Sequence, residues 1–160
     1  MQQKSTPTRF APRVDPHRGC HGHTPLHRPP PEPRSLASAG IDLYAAQPAI
    51  VTPGMRPTVV STGVRVALPL GVMGMIAIRS GCAAEGLQLA NAPGIIDPGY
   101  HGDIRLLLIA QGDRPISVTA SQRVAQLIPL RFEALRLEQV VALPESEDGR
   151  GNGGFGSTGN

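Results

Sequence analysis

From Ser35 to Pro144 the apolar residues come in short β-branched runs, each closed by glycine, proline or a polar residue. "PAIVTP" (48–53) and "RPTVVSTGVRVALP" (56–69) are followed by "GMIAIRS" (74–80) and "GDIRLLLIA" (102–110). "ISVTAS" (116–121), "RVAQLIPLRF" (123–132) and "LEQVVALP" (137–144) complete the series. Such runs predict strands, because β-branched side chains suit a pleated, half-buried surface and Gly/Pro punctuation supplies the turns. Only "GCAAEGL" (81–87) predicts a helical turn or two. Many short strands without strand–helix alternation point to an all-β barrel or jelly roll. Aromatic residues make up 3% of the chain, so Val, Ile and Leu must fill its core.

Charge divides the chain. Residues 1–34 hold six bases and two acids, +4, so the net charge of +3 leaves −1 for residues 35–160. The same leader carries eight of the 17 prolines and four of the five histidines. With few large apolar residues it cannot offset the entropy of ordering, and it reads as a solvated, disordered tail with an extended "RPPPEP" stretch. As a tether to nucleic acid or a protein it offers only its bases, and "CHGHTPLH" offers histidines to a metal. Nothing approaches ~18 consecutive apolar residues and no apolar signal segment precedes a cleavage site, so a membrane span or secretion is not expected. Cys20 and Cys82 give neither a disulfide framework nor a zinc spacing, which suits an intracellular, most simply cytoplasmic, setting.

The core explains the apolar residues and leaves five polar, glycine-flanked segments: "AGIDLYAA", "RSG", "GIIDPGYHGD", "RVAQL" and "RGNGGFGSTG". Each has a plain structural reading. Asp42 caps a turn, Ser80 caps a short helix, "DPG" is a β-turn, and the glycine-rich end is disorder. Each equally places a ligand-contacting group at a strand end, or lets backbone amides close on an anion.

In this order and at this spacing the segments resemble the five motifs of the trimeric dUTP diphosphatase (dUTPase) family. The resemblance runs from Ala39 to Gly159. It implies a distorted jelly-roll (β-clip) barrel with a C-terminal arm exchanged between subunits, built as a 35–144 domain and a 145–160 arm. It further implies a homotrimer with active sites at subunit interfaces, hydrolysing dUTP to dUMP and pyrophosphate with Mg²⁺. That activity limits uracil in DNA and supplies dUMP for dTMP synthesis.

The resemblance also assigns roles. Asp97 is the catalytic carboxylate that activates a water, a task its chemistry suits. Tyr100 lies against the deoxyribose, and the 86–100 segment forms a uracil-reading hairpin that includes Asn91, Gly94 and Ile96. Ser80 and Gly81 contact phosphate, with Arg79 holding phosphate or pinning subunits together. Gln126 sits near the α-phosphate, and Asp42 holds Mg²⁺ through water. Arg150 reaches the terminal phosphate, Phe155 stacks on uracil, and Gly156, Ser157 and Thr158 wrap the phosphates.

Three positions depart from the common pattern: Cys82 for Leu, His101 for Arg or Gln, and "SQ" for "GD" before "RVAQL". Two alternatives stand beside the diphosphatase. A dCTP deaminase, or a bifunctional deaminase–diphosphatase, shares the "IDPG-aromatic-x-G" turn. Its general-base glutamate, however, is expected where this chain has Leu107. A dUTPase-like regulatory binding protein, with chemistry lost, is the other.

Overall fold

The structure, a computed structural model, describes residues 38–54, 56–145 and 147. Among these residues, nine strands and one short helix follow in order: β1 (Ile41–Tyr44), β2 (Ala49–Val51), β3 (Thr58–Ser61), β4 (Val72–Ile78), α1 (Ser80–Ala84), β5 (Leu87–Leu89), β6 (Gly94–Ile96), β7 (Arg105–Ala110), β8 (Ile116–Val118) and β9 (Arg123–Arg131). They pair antiparallel into three small sheets, ordered β1-β9-β4-β6, β2-β8 and β3-β7-β5. This is the all-β, jelly-roll-like architecture expected from the run pattern.

Period-two alternation directs the packing. Along β7, Leu106, Leu108 and Ala110 point inward and are buried. They join Leu43, Val51, Leu87, Ile104, Val118 and Val124 in one aliphatic core. Each such buried side chain contributes about 1.5–3 kcal/mol of transfer free energy. Among the described residues no aromatic side chain is fully buried in this core: Phe132 and Tyr100 are exposed and Tyr44 is half-buried.

Three details depart from the run pattern. The long run 56–69 is a strand only over Thr58–Ser61. Beyond it Gly63 turns with φ of 66°, and the hydroxyl of Thr62 donates to the Ile104 carbonyl at 2.7 Å. The chain then stays extended, with Val64, Val66 and Leu68 still facing the core, but outside any ladder. The expected hairpin over 86–100 is not a two-stranded ladder. β5 pairs with β7 and β6 with β4, so the 90–93 connection crosses between sheets and includes a cis Ala92–Pro93 bond. Finally, "LEQVVALP" forms no strand. Leu137, Val141 and Leu143 lie almost fully exposed, because the described chain offers this segment no ladder partner.

β4 and β9 form the spine of the largest sheet, with seven residue pairs from Val72↔Arg131 to Ile78↔Ala125. Gly74 is set in that spine for steric reasons. A Cβ there would lie 2.6 Å from Leu127 Cδ1 and 3.2 Å from Ile96 Cβ. Gly74→Val should therefore destabilise the fold by about 1–3 kcal/mol through overpacking. Chemical denaturation at fixed protein concentration checks this, and an unchanged midpoint would show that the spine can open at no cost.

Candidate active site

Three neighbouring strands converge on Asp42. It lies on β1 directly opposite Gln126 of β9, and Gln126 is in turn opposite Ala77 of β4. Its carboxylate is almost entirely buried and accepts three donors. Gln126 Nε2 reaches Oδ1 at 3.2 Å, while Arg79 and Arg123 reach Oδ2 at 3.4 and 3.3 Å. One carboxylate and two guanidinium groups leave the cluster at +1. Removing the carboxylate alone would strand two cations, the costly way to break such a pair.

A bulge makes the cluster geometrically feasible. On a regular strand Arg123 and Gln126, three residues apart, would face opposite sides. The β1–β9 register slips between Leu43 and Tyr44, so that Leu43 faces Ala125 while Tyr44 faces Arg123. The extra residue lets Val124 and Ala125 both turn inward, as their complete burial shows. Arg123 and Gln126 thereby reach one carboxylate, a re-aiming of side chains that bulges perform. Gly40 completes the seat, since a Cβ there would meet Gln126 Cβ at 3.1 Å.

Arg79 continues β4, its amide bonded to the Val124 carbonyl, and leads directly into α1. Ser80 and Gly81 open α1, which has no side-chain cap at its start. Both residues are exposed, and a Cβ on Gly81 would meet nothing within 4 Å. The first amides of a helix have no partner inside it, so this end can donate to an anion. Cys82, by contrast, is buried in the core with its thiol donating to the Arg123 carbonyl. Burial and Glu85 raise its pKa, opposed by Arg79 and Gln122.

The third motif lies elsewhere. β6 runs antiparallel to β4 with Ile96 opposite Gly74, so Asp97 leaves the sheet beside Met73. Arg79 lies six residues further along β4, about 20 Å at the usual strand rise. One chain thus gathers Asp42, Arg79, Ser80, Gly81 and Gln126 at one end of β4 and sets Asp97 at the other. Asp97 is exposed at the start of a turn closed by the Tyr100 amide on the Asp97 carbonyl, 3.0 Å. Asn91 is exposed, and its amide nitrogen lies near buried Gly94, which packs on Ile76. Ile96 is half-buried against the core. The predicted contributions of Arg150, Phe155, Gly156, Ser157 and Thr158, like those of residues 1–34, lie outside the described residues.

Sequence reasoning missed Arg123 and Asp103. Arg123 stood in the quoted "RVAQL", but a regular strand would have turned it away from Gln126. Asp103 is half-buried, and its Oδ1 has no hydrogen-bond partner among the described residues. Leu107, at the position where a deaminase would carry its glutamate, is half-buried on β7 opposite Val59. Ser121, the first residue of the "SQ" departure, has φ of 63°, the left-handed region in which glycine costs least. His101 is exposed, and its carbonyl accepts Arg65 Nε at 2.7 Å.

Burial raises the pKa of Asp103, opposed by the Ser61 hydroxyl, the Gly63 amide, Arg105 and Arg65. A raised folded-state pKa means that the folded chain holds the proton more tightly. The resulting stability is complete below the unfolded value of about 3.9 and is lost as pH rises through the folded value. Relative to Asp103→Asn, the wild type should therefore lose stability between acid and neutral pH. Parallel unfolding curves across that range test this, and a difference independent of pH would contradict it.

No group of three or more His, Cys, Asp or Glu side chains suited to a metal exists among the described residues, nor does any helix long and apolar enough to cross a membrane. The dUTPase family model matches residues 27–159, beginning inside the segment read from composition as a leader. A deoxyuridine 5'-triphosphate nucleotidohydrolase of Corynebacterium glutamicum is 43% identical over 133 residues, 82% of this chain and 87% of its own. The Staphylococcus bacteriophage 80alpha dUTPase solved with dUPNHPP is 27% identical with a TM-score of 0.69, over 81% of this chain and 91% of its own. A mutant dUTPase from phage phi11 of S. aureus, described with a structural Mg(II) ion, shares the fold at 22% identity and a TM-score of 0.65, over 72% and 91% of the two chains. Sequence and fold agree with the reading of the five motifs: the chain belongs to the dUTPase family.

Proposed function

We propose that the chain hydrolyses dUTP to dUMP and pyrophosphate, with Asp97 activating the water that attacks the α-phosphorus. The observation that carries this reading is the exposed Asp97–Tyr100 turn, with a carboxylate and an aromatic ring three residues apart just after β6. The Asp97 carboxylate accepts a proton from water as the new P–O bond forms. The bond from the α-phosphorus to the bridging oxygen breaks, and pyrophosphate leaves. Tyr100 lies against the deoxyribose, while Asn91, Gly94 and Ile96 frame the base. Hydrogen-bonded reading of a base edge rejects wrong bases strongly, since they leave buried polar groups unpaired. Removal of dUTP limits uracil in DNA, and the dUMP formed feeds dTMP synthesis.

Ser80, Gly81 and Gln126 hold the phosphates, aided by the positive excess of the Arg79–Arg123–Asp42 cluster. Both Asp42 oxygens already accept protein donors. With its oxygens so occupied, Asp42 would meet a hydrated Mg²⁺ only through water, and the phosphates would carry the ion. When bound, the ion would neutralise triphosphate charge. The structural Mg(II) of the phi11 relative supports a divalent ion in the family.

A water activated at Asp97 must attack a phosphorus held near Gln126, yet one chain sets these groups at opposite ends of β4. We infer that a homotrimer joins the Asp97 end of one subunit to the Asp42 end of another. The exposed apolar 132–145 segment fits an arm exchanged onto a neighbour, with residues 150–158 closing over the nucleotide.

With Mg²⁺ present, pyrophosphate should be released from dUTP and far less from dTTP, dCTP or UTP, with no ammonia from dCTP. Asp97→Asn should lower kcat by about 10²–10⁴-fold, the range of a lost general base, while calorimetry still detects dUTP binding. Wild-type kcat in that variant would remove Asp97 from the role. Deleting Arg150–Asn160 should leave a folded trimer by sedimentation with little turnover. Full activity after truncation would exclude the arm from the site.

A further inference from the structure

An exposed tyrosine ring ordinarily moves among rotamers, but Tyr100 is held on three sides. Its amide donates to the Asp97 carbonyl at 3.0 Å, and its hydroxyl donates to the Asp103 carbonyl at 2.9 Å. That second bond uses the only proton of the hydroxyl, so the group serves as an anchor of the ring and has none to donate to a ligand. Beneath the ring lies Gly102. A Cβ there would stand 2.5 Å from the Tyr100 oxygen, 2.7 Å from Cζ and 3.1 Å from Cε2. Gly102 does not have a positive φ, and the three heavy atoms nearest such a Cβ all belong to Tyr100, so alanine there requires the ring to move. The loop is also pinned from another part of the chain. Arg65, in the extended run after β3, donates Nε to the His101 carbonyl at 2.7 Å. That run is itself fixed to the loop's exit by the Thr62 and Val64 bonds to Ile104.

We propose that Gly102 and Arg65 are positioning residues that set the sugar selectivity of the enzyme, by fixing how far the Tyr100 ring stands from the 2′ position of the nucleotide. The proposal rests on the reading that Tyr100 lies against the deoxyribose. A 2′-hydroxyl differs from hydrogen by about one heavy atom, so selectivity depends on a ring held to a fraction of that distance. Gly102 gives the ring a seat on bare backbone, the Asp103 carbonyl fixes its tip, and Arg65 keeps the supporting loop from sliding. Neither Gly102 nor Arg65 touches substrate in this scheme. Their effect passes entirely through the ring.

The test is the ratio of kcat/KM for dUTP to that for UTP, measured on the full-length protein with Mg²⁺ alongside thermal unfolding. Gly102→Ala displaces the ring and opens the 2′ position, and it should lower the ratio about tenfold or more, in keeping with the sensitivity of sites to displacements near 1 Å. Arg65→Met should lower the ratio to a smaller degree, and Arg65→Lys, which can still donate to the His101 carbonyl, should recover part of it. A merely structural role would reduce turnover of both nucleotides together and leave the ratio at the wild-type value; that result overturns the proposal. Should Gly102→Ala fail to fold, the Arg65 pair decides, and equal ratios in Arg65→Met and wild type reject it. A wild-type protein that releases no pyrophosphate from dUTP fails one step earlier. It refutes the proposed function, and this inference falls with it.

Discussion

The buried carboxylate of Asp42 is the constraint around which this end of the molecule is organised. A carboxylate placed under a sheet is costly unless its oxygens are occupied by donors. Here the donors come from the next two strands, Gln126 and Arg123 from β9 and Arg79 from the end of β4. Satisfying one charge therefore fixes three strands in register and leaves two guanidinium groups side by side. The resulting positive excess stands beside the uncapped start of α1.

The register slip in β9 makes this economical. A one-residue irregularity turns Val124 and Ala125 together into the core and brings Arg123 to the same carboxylate as Gln126. Packing and site assembly are thus one event: the residues that complete the aliphatic core also aim the charged ones. Gly40 and Gly74 complete the arrangement by bare backbone: a Cβ would press on Gln126 at the first and overlap Leu127 at the second.

The other half of the site obeys a different constraint. Asp97 and Tyr100 sit on a turn whose geometry is set locally, by its own hydrogen bonds and by Gly102 beneath the ring. About 20 Å of strand separates this turn from Arg79 at the far end of β4. Under the proposed reaction, that separation is the reason a site is drawn from more than one subunit. Under the proposed assembly, the exposed leucines and valines of 132–145 would meet a neighbouring subunit. Such a segment, apolar yet without a ladder partner, gains nothing in isolation and a great deal against a neighbouring sheet.

Strand period, turn residues and motif order are local properties of the chain, so the all-β class, the aliphatic core and the family were legible in one dimension. Asp42, Ser80, Asp97, Tyr100 and Gln126 likewise stood in motifs whose chemistry could be named. The linear pattern did not reveal that the run after Ser61 leaves its ladder, that β5 and β6 belong to different sheets, or that 137–144 has no partner here. Pairing is a long-range choice, and β propensity describes a surface without naming its neighbour. Arg123 joined the Asp42 cluster only through a bulge that no alternation pattern announces. Gly102 acquired its significance only when the fold laid a tyrosine ring across it. Residue types can be read along the chain; which of them share a face, a carboxylate or a seat was decided by register and close packing, which exist only in three dimensions.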